Sequence, residues 1–261
     1  MRDPHAELED RRDMAARLEQ ERTDLQLEIE AFRRQYLARV GPAQAELEAL
    51  ELHIAEYRLR NELVRLRGAE LDAHKLEVEV EWQLRGRRAQ YEGYYDSVAQ
   101  AARSAPPASG EPDPEADRSL KALYRDLAKR AHPDLVQRDA DRAARDALMA
   151  EINAAYAQQD AEALQAIAAR LRPLAEAIPP DPGAEMARLD TLIAGLRADI
   201  AELNRSDWLA MKLDAALARA RGLDWFAHAR REIEARIGSR RQELDDLIAE
   251  FRDLVSQARL A

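Results

Sequence analysis

Apolar residues recur at helical spacing through most of the chain, and no β-strand is expected. In the first segment, about residues 6–40, Leu18, Leu25 and Phe32 fall seven apart. Ile29 and Tyr36 fill the three- and four-residue steps, with Arg and Glu between. A seam of this kind with charged flanks belongs to a helix that pairs with another. Val40-Gly41-Pro42 interrupts it, because glycine suits a helix end and proline a helix start. From Ala43 a second seam steps through Leu47, Leu50, Ile54 and Tyr57 and runs on towards residue 103. A short break between two seams predicts an antiparallel hairpin. Gly68, Gly86 and Gly93 mark points where its second limb would kink or stop.

Near the end of that limb lie Trp82, Tyr91, Tyr94 and Tyr95. Tyr91, Tyr94, Tyr95 and Val98 share one helical face, which reads as a stripe packed on a neighbour or as a partner surface. Residues 104–117, SAPPASGEPDPEAD, form a proline-rich acidic linker, and IPPDPG at 178–183 is a second break. Beyond it Leu189, Leu192, Leu196, Ile200 and Leu203 mark a further helix. Asp224 is a good N-cap before Trp225. The last helix has the cleanest heptads: Ile233, Ile237, Arg240, Leu244, Leu247, Phe251 and Leu254, with Arg240 the one polar intruder. The pattern therefore predicts an all-α chain in which two long antiparallel coiled-coil hairpins, 1–103 and 184–261, flank a small helical unit at 118–174. Linkers at 104–117 and 175–183 join them.

Composition narrows the classes. The chain has 261 residues, 34% of them charged and only 5% aromatic, so bulky side chains are too sparse to line a deep ligand-burying core. Its net charge of −10 argues against bulk attraction to nucleic acid or to an anionic membrane. No run approaches the roughly 20 apolar residues of a membrane helix, and no apolar leader follows Met1. Cysteine is absent, which excludes disulfides, zinc-thiolate sites and thiol catalysis and fits a cytoplasmic setting. His5, His53, His74 and His228 are scattered without metal-ligand spacing, so neither a metal nor a cofactor is expected.

Chemistry concentrates between residues 114 and 174. Asp113-Pro114 supplies an N-cap followed by a proline at the first helical position. The helix that follows buries Leu120, Leu123, Tyr124, Leu127 and Ala131 on one face. On another rib Arg118, Lys121, Arg125 and Lys129 recur at i, i+3, i+7 and i+11 and lead straight to His132-Pro133-Asp134. Pro133 disfavours helical geometry at His132, which places His132 and Asp134 at the start of an exposed turn. A second helix, about Asp139 to Tyr156, offers Leu148, Ile152, Ala155 and Tyr156 to the first. His132 and Asp134 have no nucleophile or glycine-rich oxyanion loop near them, so no catalytic residues are expected.

Two helices joined by a loop that opens with HPD resemble the J-domain co-chaperone family. The likeness runs through LYRDLAKRAHPDL and EINAAYA and covers about 45 residues, from Leu120 to about Leu164. It implies a domain that binds a DnaK-type chaperone ATPase and stimulates ATP hydrolysis, itself catalysing nothing. His132, Pro133 and Asp134 would be the trigger, and Arg118, Lys121, Arg125 and Lys129 the docking residues for an acidic partner surface. The coiled coils would hold a client or a scaffold. Asp126 and Ala131 depart from the family pattern, which has a basic and an aromatic residue there, and no first helix directly precedes the unit. The alternative is a structural coiled-coil protein whose J-like unit only packs. Seams satisfied within one chain and seams satisfied between two look alike in sequence, which leaves a homodimer open.

Overall fold

The computed structural model describes residues 4–68, 72–103, 114–132, 139–171 and 182–260, all helical apart from short caps and turns. The helices are α1 (Pro4–Arg39), α2 (Gly41–Arg67), α3 (Ala73–Arg103), α4 (Pro114–Ala131), α5 (Asp139–Ala157), α6 (Ala161–Leu171), α7 (Pro182–Asn204), α8 (Asp207–Ala220) and α9 (Trp225–Leu260). No strand occurs among the described residues. The protein is all-α. None of these helices is long and apolar enough to cross a membrane. The chain divides into two compact units that cut across the sequence segments. One holds residues 1–31 and 107–212, the other 32–106 and 213–261.

In the second unit α2 is the shared element. It pairs with α3 in antiparallel sense: Glu56 accepts from Arg88 at 2.6 Å, and Arg60 reaches Glu77 at 2.9 Å. A Cβ on Gly41 would lie 2.9 Å from a methyl of Val98, so glycine lets the two helices approach closely here. Gly68 ends α2 with φ 52°, a left-handed conformation that glycine adopts without a Cβ clash. Gly86 and Gly93 do not interrupt α3. Tyr94 and Val98 turn inward with Leu37 and Ala101, and burial pushes the Tyr94 hydroxyl up to about 12. Tyr91 and Tyr95 stack with ring centroids 6.2 Å apart, and Tyr95 and Trp82 are exposed. The aromatic face is thus half packed and half outward.

Two expectations about the hairpins fail here. Val40-Gly41-Pro42 is no hairpin turn: Val40 N–H donates to Tyr36 O at 2.8 Å and Gln44 N–H to Val40 O at 3.1 Å, so helical bonding continues across the break. Proline removes only one donor, and at the start of a helix that donor has no partner to lose. The heptads of α9 are likewise not met inside 184–261. The helix lies along α2 in parallel sense, through the ordered pairs Arg241–Glu46, Arg58–Glu243 and Arg65–Glu250. A seam specifies its own face and period, not the address of its partner. Arg240, the polar intruder, keeps its guanidinium at the margin, where it meets Glu51 at 3.3 Å and Glu243 at 2.6 Å. Asp224 caps α9 as expected, accepting from Ala227 N–H at 3.2 Å. Phe32 of α1 stacks on Trp225 and Phe226 at 5.8 and 5.5 Å.

The first unit is built on α4, α5 and α6. Tyr124, Leu127, Ala128 and Ala131 of α4 meet Met149, Ile152 and Tyr156 of α5, and Leu164, Ile167 and Leu171 of α6 close the core. The α4 and α5 helices are antiparallel, with the Tyr124 and Tyr156 rings 4.3 Å apart and Arg145 donating to Arg130 O at 2.9 Å. Gln159 takes a left-handed φ of 57° at the turn, and Asp160 caps α6 by accepting from Ala163 N–H at 2.9 Å. Alongside, α1 and α7 run parallel, joined by Leu8, Ala15, Leu189 and Ile193 and by the ion pairs Arg11–Asp190 and Arg12–Glu185.

Burial holds the Tyr124 and Tyr156 hydroxyls above the ordinary tyrosine range, and for Tyr156 the Asp24 carboxylate adds to it. Tyrosines of the unfolded chain ionise near about pH 10. The folded state keeps these protons longer, so its stability is complete below that pH and falls as pH climbs beyond it. Urea midpoints should therefore drop between about pH 8 and about pH 11, and Tyr156→Phe should flatten that drop. A midpoint independent of pH over this range would contradict the burial of these hydroxyls.

Candidate docking site: the basic rib of α4

The rib expected to dock a partner does form one face of α4, but much of it is already engaged. Lys129 Nζ lies 2.6 Å from Glu9 Oε2 and 2.7 Å from Asp13 Oδ1, both on α1. Burial alone would lower the Lys129 pKa, yet the two carboxylates outweigh it and hold the ammonium above its ordinary value. Reciprocally, Lys129 keeps Glu9 below the usual carboxylate range. Arg125 donates to Gln20 Oε1 at 3.2 Å. Lys121 pairs with Asp117 on its own helix at 2.9 Å, and that bond, followed by the fields of Asp24 and Glu28, raises its pKa. Arg118 is exposed near the start of the helix.

Further along, Tyr124 donates to Asn153 Oδ1 at 2.8 Å, leaving Thr23 Oγ1, 3.0 Å away, to donate to it. Tyr156 donates to Asp24 Oδ1 at 2.6 Å. Leu27 adds an apolar contact to the same core. The flank that no helix immediately ahead of α4 covers is thus filled by α1, about a hundred residues upstream (Thr23 and Tyr124 are 101 apart). The sequence carried a signal for this. Glu9, Asp13, Gln20, Asp24 and Glu28 fall on one helical face, a polar and mostly acidic rib complementary to the basic one.

His132 follows the end of α4, its N–H donating to Ala128 O at 3.1 Å. An exposed position was expected. Its side chain is instead half-buried in a cleft lined by Ala15, Ala16, Ala128 and Leu192. Small residues on α1 and α4 let the helices close in, which draws the imidazole under cover. Pro133 and Asp134 lie outside the described residues. The two departures from the J-domain pattern have local consequences. Asp126 pairs with Arg130 at 3.1 Å and so offsets one cation of α4, and Ala131 is fully buried with only a methyl to contribute. Comparison with protein-family models, curated proteins and solved structures returns no match for the chain.

Proposed function

We propose that the chain is a co-chaperone adaptor that engages a DnaK-type chaperone ATPase through the end of α4. The observation that carries this reading is the antiparallel α4–α5 pair with a basic rib leading directly to His132 at the point where HPD begins. In this reading His132, Pro133 and Asp134 trigger ATP hydrolysis on the partner. Arg118, Lys121, Arg125 and Lys129 steer an acidic surface onto α4, where complementary charge chiefly sets the rate of encounter. The protein itself catalyses nothing, needs no cofactor, acts in the cytoplasm, and uses its long helices to hold a client or scaffold. A purely structural role is favoured by one observation, that Lys129 is already paired with Glu9 and Asp13.

ATP hydrolysis by DnaK-type chaperones from the host separates the two. Added protein should raise turnover, and His132→Gln should return it to the basal rate with unchanged helicity and melting temperature. Wild-type protein that stimulates none of a panel of host chaperones would leave the structural role standing.

A further inference from the structure

We propose that α1 is a built-in competitor for the docking face of α4, an acidic rib that holds the basic rib until an acidic protein surface displaces it. The inference rests on the co-chaperone reading and deepens it by naming what controls access to the site. Glu9 and Asp13 present to Lys129 of α4 the chemistry that an acidic partner would present, carboxylates in a row along a rigid element, while Asp24 and Glu28 reach Lys121 only through their fields. Two of the three donors of Lys129 are held by Glu9 and Asp13, so a partner's carboxylates find one donor there until α1 lets go. Occupation by α1 and occupation by the partner therefore compete at the His132 end of the rib.

The contact is built to exchange. Beside the closely packed Ala15, Ala16 and Ala128, its charged part near His132 consists of ion pairs whose side chains keep access to water: 26% for Lys129, 51% for Glu9 and 52% for Asp13. Pairs of this kind are screened by salt and replaced at little net cost. Further along the helix α1 stays on the α4–α6 core through Leu27 and through the Thr23–Tyr124 and Asp24–Tyr156 hydrogen bonds. On its other side α1 is anchored to α7 by Leu8, Ala15, Leu189 and Ile193 and by the Arg12–Glu185 pair. Freeing Lys129 thus leaves α1 with a packed face and does not require it to unfold. A site open only part of the time binds with its affinity reduced by the open fraction, so weakening the internal contact strengthens the external one.

The test uses the full chain carrying Glu9→Gln and Asp13→Asn, which keep side-chain size and remove both charges from Lys129. Two quantities are read: the protein concentration giving half-maximal stimulation of a DnaK-type ATPase, and the rate at which an amine-acylating reagent labels Lys129. The variant should need about three- to tenfold less protein, label faster at Lys129, and lose all stimulation when His132→Gln is added. Equal half-maximal concentrations for variant and wild type would overturn the competitor while leaving the co-chaperone reading intact. If neither protein stimulates although Lys129 labels faster in the variant, the co-chaperone reading falls and the competitor falls with it.

Discussion

Tyr124→Ala is expected to cost the α4–α6 unit about 3–5 kcal/mol, the range for deleting a fully buried aromatic ring. The side chain has no exposed surface, its ring lies 4.3 Å from that of Tyr156, and its hydroxyl joins Thr23 of α1 to Asn153 of α5. One truncation therefore opens a cavity at the centre of the core and breaks the Thr23–Tyr124–Asn153 hydrogen-bond chain that joins α1 to α5 beside the direct Tyr156–Asp24 bond. Tyr124→Phe separates the two effects. It keeps the ring and strands the buried polar partners, which should cost about 1–3 kcal/mol. Urea unfolding followed by circular dichroism, with hydrogen exchange of α5 amides, measures both. An alanine variant no less stable than the phenylalanine variant would show that the ring contributes nothing beyond its hydroxyl.

The second large effect is expected in the other unit. Asn61 stands where the α2 seam of Leu47, Leu50, Ile54 and Tyr57 would place its next residue, and it is 1% exposed. Its amide donates to Leu247 O at 3.2 Å and to Glu250 Oε2 at 2.8 Å, while its own oxygen is buried without a partner. Asn61→Asp replaces both donations with a buried carboxylate facing that of Glu250, and should cost about 3–5 kcal/mol. Asn61→Leu should act in the opposite direction, adding about 1–3 kcal/mol by removing an unsatisfied oxygen. Glu250 keeps Arg65 in either variant. A polar residue in an apolar seam fixes register at the expense of stability. The leucine variant is thus expected to melt higher and, by disulfide trapping between cysteines placed on α2 and α9, to sample more than one register. An aspartate variant as stable as wild type would show that the site is open to water.

How far the sequence reveals this molecule depends on the scale of the question. Local chemistry is legible: Pro114 opens α4, Asp224 caps α9, and the end of α4 at Ala131 follows from what a proline does to the residue before it. The end of α8's predecessor was also written in the chain, since Ser206 caps α8 by accepting from Leu209 N–H at 3.3 Å, yet a smooth leucine pattern across 189–203 draws the eye past it. Gly68 stops a helix and Gly86 does not, although both are glycines between helix formers. What separates them is the tertiary path, which a single glycine does not encode. Partner choice is the least legible. The α9 heptads describe a face that could meet any helix of matching period, and only charges such as Glu46, Glu51 and Glu243 bias it towards α2.

The docking rib shows the same limit from the other side. Arg118, Lys121, Arg125 and Lys129 were readable as a stripe because they sit on one short helix. Their engagement by α1 required comparing two ribs about a hundred residues apart, with complementary sign and matching helical phase. His132 illustrates the consequence. Its backbone position follows from Pro133, whereas its half-buried side chain depends on Ala15 and Ala16, which are small enough to admit the neighbouring helix.

The pairing of α2 with α9 also sets the order in which this protein can be made. The contacts Arg58–Glu243 and Arg65–Glu250 each join residues 185 positions apart. During synthesis α2 and α3 can close as a hairpin soon after residue 103 leaves the ribosome, since their contacts are local. The face of α2 around Tyr57 and Asn61 then waits until α9 has been translated, at some 5–20 residues per second, a delay on the order of ten seconds or more. For that interval the nascent chain carries an apolar helical face without its intended cover, and its safe passage falls to whatever holds unfinished chains in the cell.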